Sequence, residues 1–378
     1  MRLLHVHWAL PPTTGGVESH VADLCTRLQA RECSVTVLTG EPDPAPLPGV
    51  DVRRTDLLNL EVIRAGLGND PAHRRQLRTF VGELIADIRP DIVHGHNLHH
   101  FAVAPALVLD ELRVALGYAM VHTFHETWPD MLHDTPVYRD WDANLAVSHH
   151  VAEECAARIG FRPRARPLGV DTARFRSTRP ALASGEPAVI LHPARLLPWK
   201  GVHLSVRMLA TLRSAGLACR LVVTDTARIA DWHGELAAYR VEVLALAEEL
   251  GVRDDLELRP APYDLMPALY DEADVVVYPT VAAEPFGLVP LEAMSAERPI
   301  VAARCGGITE TVVDGVTGWL VEPGDADALA TQVAAVIRDP ERARRAGAAG
   351  RRHVQARFGL ERYVDDVVGI YRVASMAK

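Results

Sequence analysis

Two glutamates, Glu284 and Glu292, bracket a Pro285-Phe286-Gly287 turn and the start of a helical run. The preceding residues, Ala273 to Tyr278, are short, apolar and β-branched, which predicts a buried strand. Leu288 to Ala296 predicts a helix, with Pro290 tolerable only in its first turn. Glu284 is therefore expected at the carboxyl end of a parallel strand, where open α/β sheets bind ligands. The N–H groups of Phe286, Gly287 and Leu288 would point from the helix N-terminus toward an anion. Glu292 falls one turn inside the helix on the same face as Leu288. A carboxylate pair suits the vicinal hydroxyls of a ribose or hexose, and a helix N-terminus suits a phosphate. The combination fits a phosphorylated sugar; two ordinary surface glutamates are the plainer alternative.

A second cluster comes from lysine usage. Lysine and arginine together number 40, yet only Lys200 and Lys378 are lysines. Lys200 stands in Arg195-Leu196-Leu197-Pro198-Trp199-Lys200-Gly201, between a strand at 188–192 and a helix from Val202 to Arg213. Arg195 and Lys200 would offer two fixed positive charges to a diphosphate. Alone, Lys200 would read as a solvated loop residue.

The elements that must position these groups alternate along the chain, which predicts parallel α/β architecture. In the first half, strands are expected at Leu3–His7, Ser34–Thr39, Val50–Arg53, Asp91–His94, Ala119–Phe124 and Asn144–Val147. Val17, Val21, Leu24 and Leu28 form a helical stripe, and 73–88 and Ala152–Ile159 are expected helices. In the second half, strands are expected near 188–192, 220–224, 255–259, 274–278, 299–302 and 318–321. The chain length of 378 residues exceeds what one core supports. The division is a first domain at 1–170, a Thr-, Arg-, Pro- and Ser-rich linker at 171–187, and a second domain at 188–357.

Net charge is −9 and charged residues make up 24%, which disfavours broad binding to nucleic acid or an anionic membrane. The arginines at 74, 75 and 78 and at 342, 344 and 345 read as solvated helix faces. Five cysteines at 25, 33, 155, 219 and 305 have no metal-ligand spacing and fit a reducing cytoplasm. No run has the apolar length of a membrane span, and Met1 leads directly into a strand.

Six segments in order carry a resemblance. They are Gly15-Gly16-Val17-Glu18, His122-Thr123-Phe124-His125-Glu126, Gly169-Val170-Asp171 with Phe175, Arg195 to Lys200-Gly201, the Glu284/Glu292 pair, and Gly306-Gly307-Ile308-Thr309-Glu310 leading to Asp314-Gly315-Val316-Thr317-Gly318. Together they resemble the retaining glycosyltransferases of family four. That resemblance implies the GT-B fold, two Rossmann-like doubly wound domains facing a deep cleft, with the C-terminal helix (358–378) returning to the first domain. It implies a nucleotide-sugar donor, UDP- or GDP-linked, and no metal or other cofactor. By position, Glu292 should take the ribose hydroxyls. Glu284 should take the donor sugar with the N–H groups of Phe286, Gly287 and Leu288. Arg195 and Lys200 should hold the diphosphate, with Gly15 and Gly16 approaching its phosphate. His125 should orient the sugar near its anomeric carbon.

The acceptor side rests on loop placement. Glu18, His96, Glu126 and Trp128, with Trp8 and Trp141 nearby, suggest a small polar or cationic acceptor with a stackable face. His94, His96, His99 and His100 could bind a metal, but acceptor recognition or a surface loop accounts for them better. A glycosidase pair is set aside because such carboxylates flank a bond from opposite sides. Asp140-Trp141-Asp142 resembles a metal motif of another fold and is treated as incidental. A dehydrogenase fails because no Gly-x-Gly-x-x-Gly follows the first strand. A nucleotide-sugar epimerase or hydrolase, or a silent nucleotide-sugar-binding regulator, remains the alternative. A homodimer is compatible with the chain.

Overall fold

Runs such as Val35-Thr36-Val37-Leu38 and Val275-Val276-Val277-Tyr278 are β-branched and unbroken by glycine or proline, and they fold as buried strands. The computed structural model describes residues 1–66, 70–128, 136–183, 187–225 and 236–376. The chain divides into two units.

The first unit comprises Met1–Pro167 and Glu361–Lys378. Its strands are β1 (Arg2–His7), β2 (Ser34–Thr39), β3 (Asp51–Arg54), β4 (Ile92–His96), β5 (Ala119–Phe124), β6 (Ala143–Ala146) and β7 (Arg164–Ala165). They form one seven-stranded parallel sheet in the order β3-β2-β1-β4-β5-β6-β7. The winding direction therefore reverses between β1 and β4. The helix Gly16–Gln29 follows β1 and buries Val21, Leu24, Cys25 and Leu28.

The second unit is Leu168–Leu360. Its strands are β8 (Ala188–His192), β9 (Cys219–Asp225), β10 (Leu256–Pro260), β11 (Val275–Tyr278), β12 (Ile300–Ala303) and β13 (Trp319–Val321). The order β10-β9-β8-β11-β12-β13 repeats the first unit's winding, with the reversal between β8 and β11. A crevice opens outside the carboxyl ends of the strands at such a reversal. Four of the candidate segments attach to the flanking strands. Gly15-Gly16 follows β1 and His96 ends β4, while Arg195 to Lys200 follows β8 and Glu284 follows β11.

The helix Leu360–Met376 buries Tyr363, Val364, Val367 and Tyr371. Within the first unit, Arg31 pairs with Glu361 and Asp365, and Arg166 pairs with Asp366. No helix among the described residues is long and apolar enough to cross a membrane.

Two sequence expectations need correction. The segment assigned as a linker at 171–187 belongs, in its described residues, to the second unit. Thr178 donates from its N–H and its hydroxyl to Asp271, and Arg179 pairs with Asp274. The cause is Arg298, whose buried guanidinium needs acceptors and takes the carbonyls of Tyr270 and Arg179, each at 2.8 Å. Residues 184–186 of that segment lie outside the described residues. The second correction is that β4 continues to His96 instead of ending at His94, because His96 pairs in register with Thr123 of β5.

Candidate active site

In the second unit, three loops lock together at the carboxyl edge of the sheet. Gly201 has φ 74°, and a Cβ there would lie 2.1 Å from the carbonyl oxygen of Pro279, so the loops after β8 and β11 touch backbone to backbone. Thr280 Oγ1 and the Val281 N–H both donate to the Trp199 carbonyl, at 2.9 and 2.8 Å. The loop after β12 braces the other side, where the Gly307 N–H donates to the Glu284 carbonyl at 2.7 Å.

These contacts place Lys200 against Glu284. Lys200 Nζ donates to Glu284 Oε2 at 2.8 Å, and both side chains are largely buried. Tyr278, at the end of β11, donates to the same oxygen at 2.9 Å and accepts from Lys200. Nζ also lies 3.9 Å from the centroid of the Trp199 ring, a cation–π contact. Glu292, inside the helix Leu288–Ser295, is buried and accepts from Tyr270 at 2.7 Å. Burial, then the adjacent glutamate, holds the phenols of Tyr270 and Tyr278 well above their usual range, so both remain donors. His192 is pushed down to about 3 by burial and then by the Lys200 charge.

Arg195 is half-buried in the same loop as Lys200, and its guanidinium has no hydrogen-bond partner among the described residues. Phe286 and Gly287 are buried and Leu288 is half-buried, at the start of the helix that carries Glu292. The structure thus brings Lys200 and Glu284 into direct contact, with Phe286, Gly287, Leu288 and Glu292 following Glu284 into the helix.

The first unit gathers histidines instead. His5 and His7 on β1, and His94 and His96 on β4, are two residues apart, so each pair shares a face of the sheet. His5 is in register with His94. The rings are hydrogen-bonded in series. His125 Nε2 is 3.1 Å from His96 Nδ1, and His96 Nε2 is 3.0 Å from His5 Nδ1. The Tyr371 hydroxyl is 3.4 Å from His5 Nε2 and 2.6 Å from His94 Nδ1, and His94 Nε2 meets Thr123 Oγ1 at 2.8 Å. Burial is the main cause that lowers His5 and His20 to about 3 and holds His94, His96, His122 and His125 well below the usual range. All are therefore neutral at pH 7.

His5, His94 and His96 have ring nitrogens within 4.8 Å of one another, a spacing that would suit a metal. A neutral imidazole owns one lone pair, and the hydrogen bonds just described engage both nitrogens of each ring. A metal would have to displace Tyr371, Thr123 or a neighbouring ring.

Asn97 sets the next loop, with φ 52°. Its Oδ1 accepts from the His125 N–H at 2.8 Å, its Nδ2 donates to Glu126 Oε1 at 3.2 Å, and its carbonyl accepts from Trp8 Nε1. Gly15 caps the helix Gly16–Gln29 in extended conformation, and Gly16 is exposed. Glu18 is half-buried with Oε1 3.8 Å from His7 Nε2, and Glu126 and Trp128 are half-buried.

Several acceptor-side expectations are corrected here. His96 is a strand residue with no exposed surface, and His5 and His125 occupy its ring nitrogens, so it cannot touch an acceptor directly. His99 and His100 are buried rather than on a surface loop, because His99 Nε2 donates to the Glu126 carbonyl and its ring packs on Phe124. Trp8 and Trp141 are core residues whose indole N–H groups are held by Asn97 and Asp110. Asp142 accepts from the Met120 N–H and pairs with Arg113, a structural role. Sequence reasoning missed Tyr270, Tyr278, His5, His7, His20 and Tyr371. His-x-His in two strands that neighbour each other in the sheet was the available signal for His5 and His7; His20 and the tyrosines gave none.

Residues 14–174 match the model of the family described as Glycosyltransferase Family 4, and residues 174–353 match that described as Glycosyl transferases group 1. The glycogen synthase of Mycobacterium tuberculosis is 30% identical over 99% of this chain and 95% of its own. A D-inositol 3-phosphate glycosyltransferase of Geodermatophilus obscurus is 32% identical over 96% of this chain and 85% of its own. Among solved structures, sucrose-phosphate synthase from Thermosynechococcus elongatus has a TM-score of 0.83 at 21% identity, covering 100% of both chains. HepE of Anabaena, in complex with UDP-glucose, has a TM-score of 0.77 at 20% identity, covering 98% of each. The shared architecture is the two-domain GT-B fold.

Proposed function

The chain belongs to the family 4 glycosyltransferases, and from that premise we propose that it transfers a sugar from a nucleoside-diphosphate donor to a small polar or carrier-linked acceptor, retaining the anomeric configuration and using no metal ion. The observation that carries the donor side is the Lys200–Glu284–Tyr278 set beside Arg195, on the two strands that flank the reversal in the second unit. The bond between the anomeric carbon and the β-phosphate oxygen breaks, and the phosphate leaves with the electron pair. Arg195 and Lys200 neutralise that charge, the task a divalent cation would otherwise perform. An acceptor hydroxyl attacks the face the phosphate vacates, and its proton passes to a departing phosphate oxygen.

Glu284 takes hydroxyls of the donor sugar, Glu292 takes those of the ribose, and the N–H groups of Phe286 to Leu288 add donors at the helix start. In the first unit, the N-terminus at Gly15-Gly16 is suited to phosphate, and His125 orients the sugar. Glu18, Glu126 and Trp128 are the acceptor candidates that remain. Relatives named for glycogen and for inositol 3-phosphate support an acceptor rich in hydroxyls. Five cysteines, none paired with another, fit a reducing cytoplasm.

A thermal-shift screen of UDP, GDP, ADP and TDP, each with magnesium or EDTA, tests this reading. A ligand that binds only the folded state raises the midpoint by mass action. A shift with one diphosphate that EDTA does not alter is expected. No shift with any of them at millimolar concentration, or a shift that EDTA abolishes, would defeat the metal-free donor site. Turnover of the matching sugar nucleotide without a second substrate would point to an epimerase or hydrolase instead.

A further inference from the structure

Both glutamates of the donor side are held in the same way. Glu284 Oε2 accepts from Tyr278, and Glu292 Oε2 accepts from Tyr270. Both tyrosines are buried and rigidly seated. Tyr270 has no exposed surface, its carbonyl is bonded to Arg298 Nε, and its ring meets Phe175 edge-on at 5.5 Å. Tyr278 closes β11, where its neighbour Val277 pairs with β12, and its ring meets His192 edge-on at 6.3 Å.

A buried carboxylate needs donors or its desolvation goes uncompensated. A phenol supplies one directional hydrogen bond and no charge, so the carboxylate keeps its full negative charge for ligand hydroxyls. Lys200 and Tyr278 both meet Glu284 at Oε2, which turns Oε1 toward a ligand role. Tyr278 has a further consequence. Lys200 shares Glu284 Oε2 with it, and a diphosphate draws on the same ammonium. When Lys200 turns toward the phosphate, the phenol still donates to the Glu284 carboxylate.

We propose that Tyr270 and Tyr278 are positioning residues that divide donor specificity between them, Tyr270 aligning Glu292 for the ribose hydroxyls and Tyr278 aligning Glu284 for the transferred sugar. The inference rests on the donor reading above, and it assigns each phenol the alignment of a separate carboxylate.

The test compares two ratios in wild type, Tyr270→Phe and Tyr278→Phe. One is the affinity for UDP, GDP or ADP over its 2′-deoxy form. The other is the affinity for UDP-glucose or GDP-mannose over the bare diphosphate. Tyr270→Phe should bring the first ratio from about tenfold down to about twofold and leave the second intact, the loss expected for one hydrogen bond. Tyr278→Phe should do the reverse. Glu292→Asp, which shortens the carboxylate away from an untouched phenol, should reproduce the first result even where Tyr270→Phe folds poorly. Equal losses in both ratios from either variant would overturn the division, since that is what a packing role predicts. So would a Tyr270→Phe chain with the wild-type ribose preference while Glu292→Gln loses it. A wild type that binds no nucleoside diphosphate at all would overturn this inference together with the donor reading, an outcome distinct from the other two.

Discussion

Lys200 spends its charge on Glu284 when no phosphate is present, and the pair is buried enough that removing one partner strands the other. Lys200→Ala should therefore reduce turnover by about a thousandfold if the ammonium acts on the departing phosphate, while nucleoside diphosphate affinity falls only about tenfold. Single-turnover rates set against equilibrium binding check this, and matched losses would mean that Lys200 only binds. That Lys200 and Glu284 follow strands and that Glu292 lies one turn into a helix was legible in the sequence, from the apolar strand runs and from Pro290 in a first helical turn. The tyrosines were not, since Tyr278 reads as the end of a β-branched strand and nothing in the pattern singles out Tyr270. Their role depends on which oxygen they face, which no spacing encodes. The histidines lay between these cases. His5-x-His7 and His94-x-His96 have the two-residue period of one sheet face, but ending the second strand at His94 turned His96 into a loop residue.

At the scale of elements, the loop after β12 fixes Glu284 by backbone contact. Gly306 has φ 51°, and a Cβ there would lie 2.2 Å from the Glu284 carbonyl oxygen. Gly306→Ala should cost about 1–3 kcal/mol of stability and weaken sugar-nucleotide binding, because the Glu284 loop must move. Gly315 has φ 73° with nothing within 4 Å of its would-be Cβ. Gly315→Ala should lose stability through its backbone conformation alone and leave binding unchanged. Denaturant midpoints and ligand titrations on the two variants separate these effects, and equal binding losses would contradict the bracing role. The alternation of strands and helices was readable because β-branched runs and helical stripes differ in period. Strand order was not readable, since it depends on crossovers between distant segments. The polar composition of 171–183 hid its docking, which the buried Arg298 anchors through carbonyl acceptors while Phe175 and Ala181 bury their apolar side chains.

Over the whole molecule, titration divides the chain. Six histidines of the first unit, His5, His20, His94, His96, His122 and His125, have lowered proton affinity in the folded state. Unfolded histidines titrate near 6.5, so below that pH the unfolded chain binds more protons than the folded one. The associated stability is full above pH 6.5 and is lost as pH falls below it, down to about 3 for His5 and His20. Urea midpoints should therefore drop steeply between pH 7 and 5, with several protons taken up on unfolding and the first unit melting before the second. A flat profile over that range would contradict neutral burial. The helix Leu360–Met376 bears on a different stage of the molecule's life. Tyr363 and Tyr371 on that helix complete a core that β1 begins, while the second unit, 168–360, is continuous in the chain. On the ribosome the second unit is therefore translated in full before the first can close. At ordinary elongation rates the nascent first sheet waits roughly ten to forty seconds for its closing helix, with the seats of both tyrosines open to whatever chaperone arrives first.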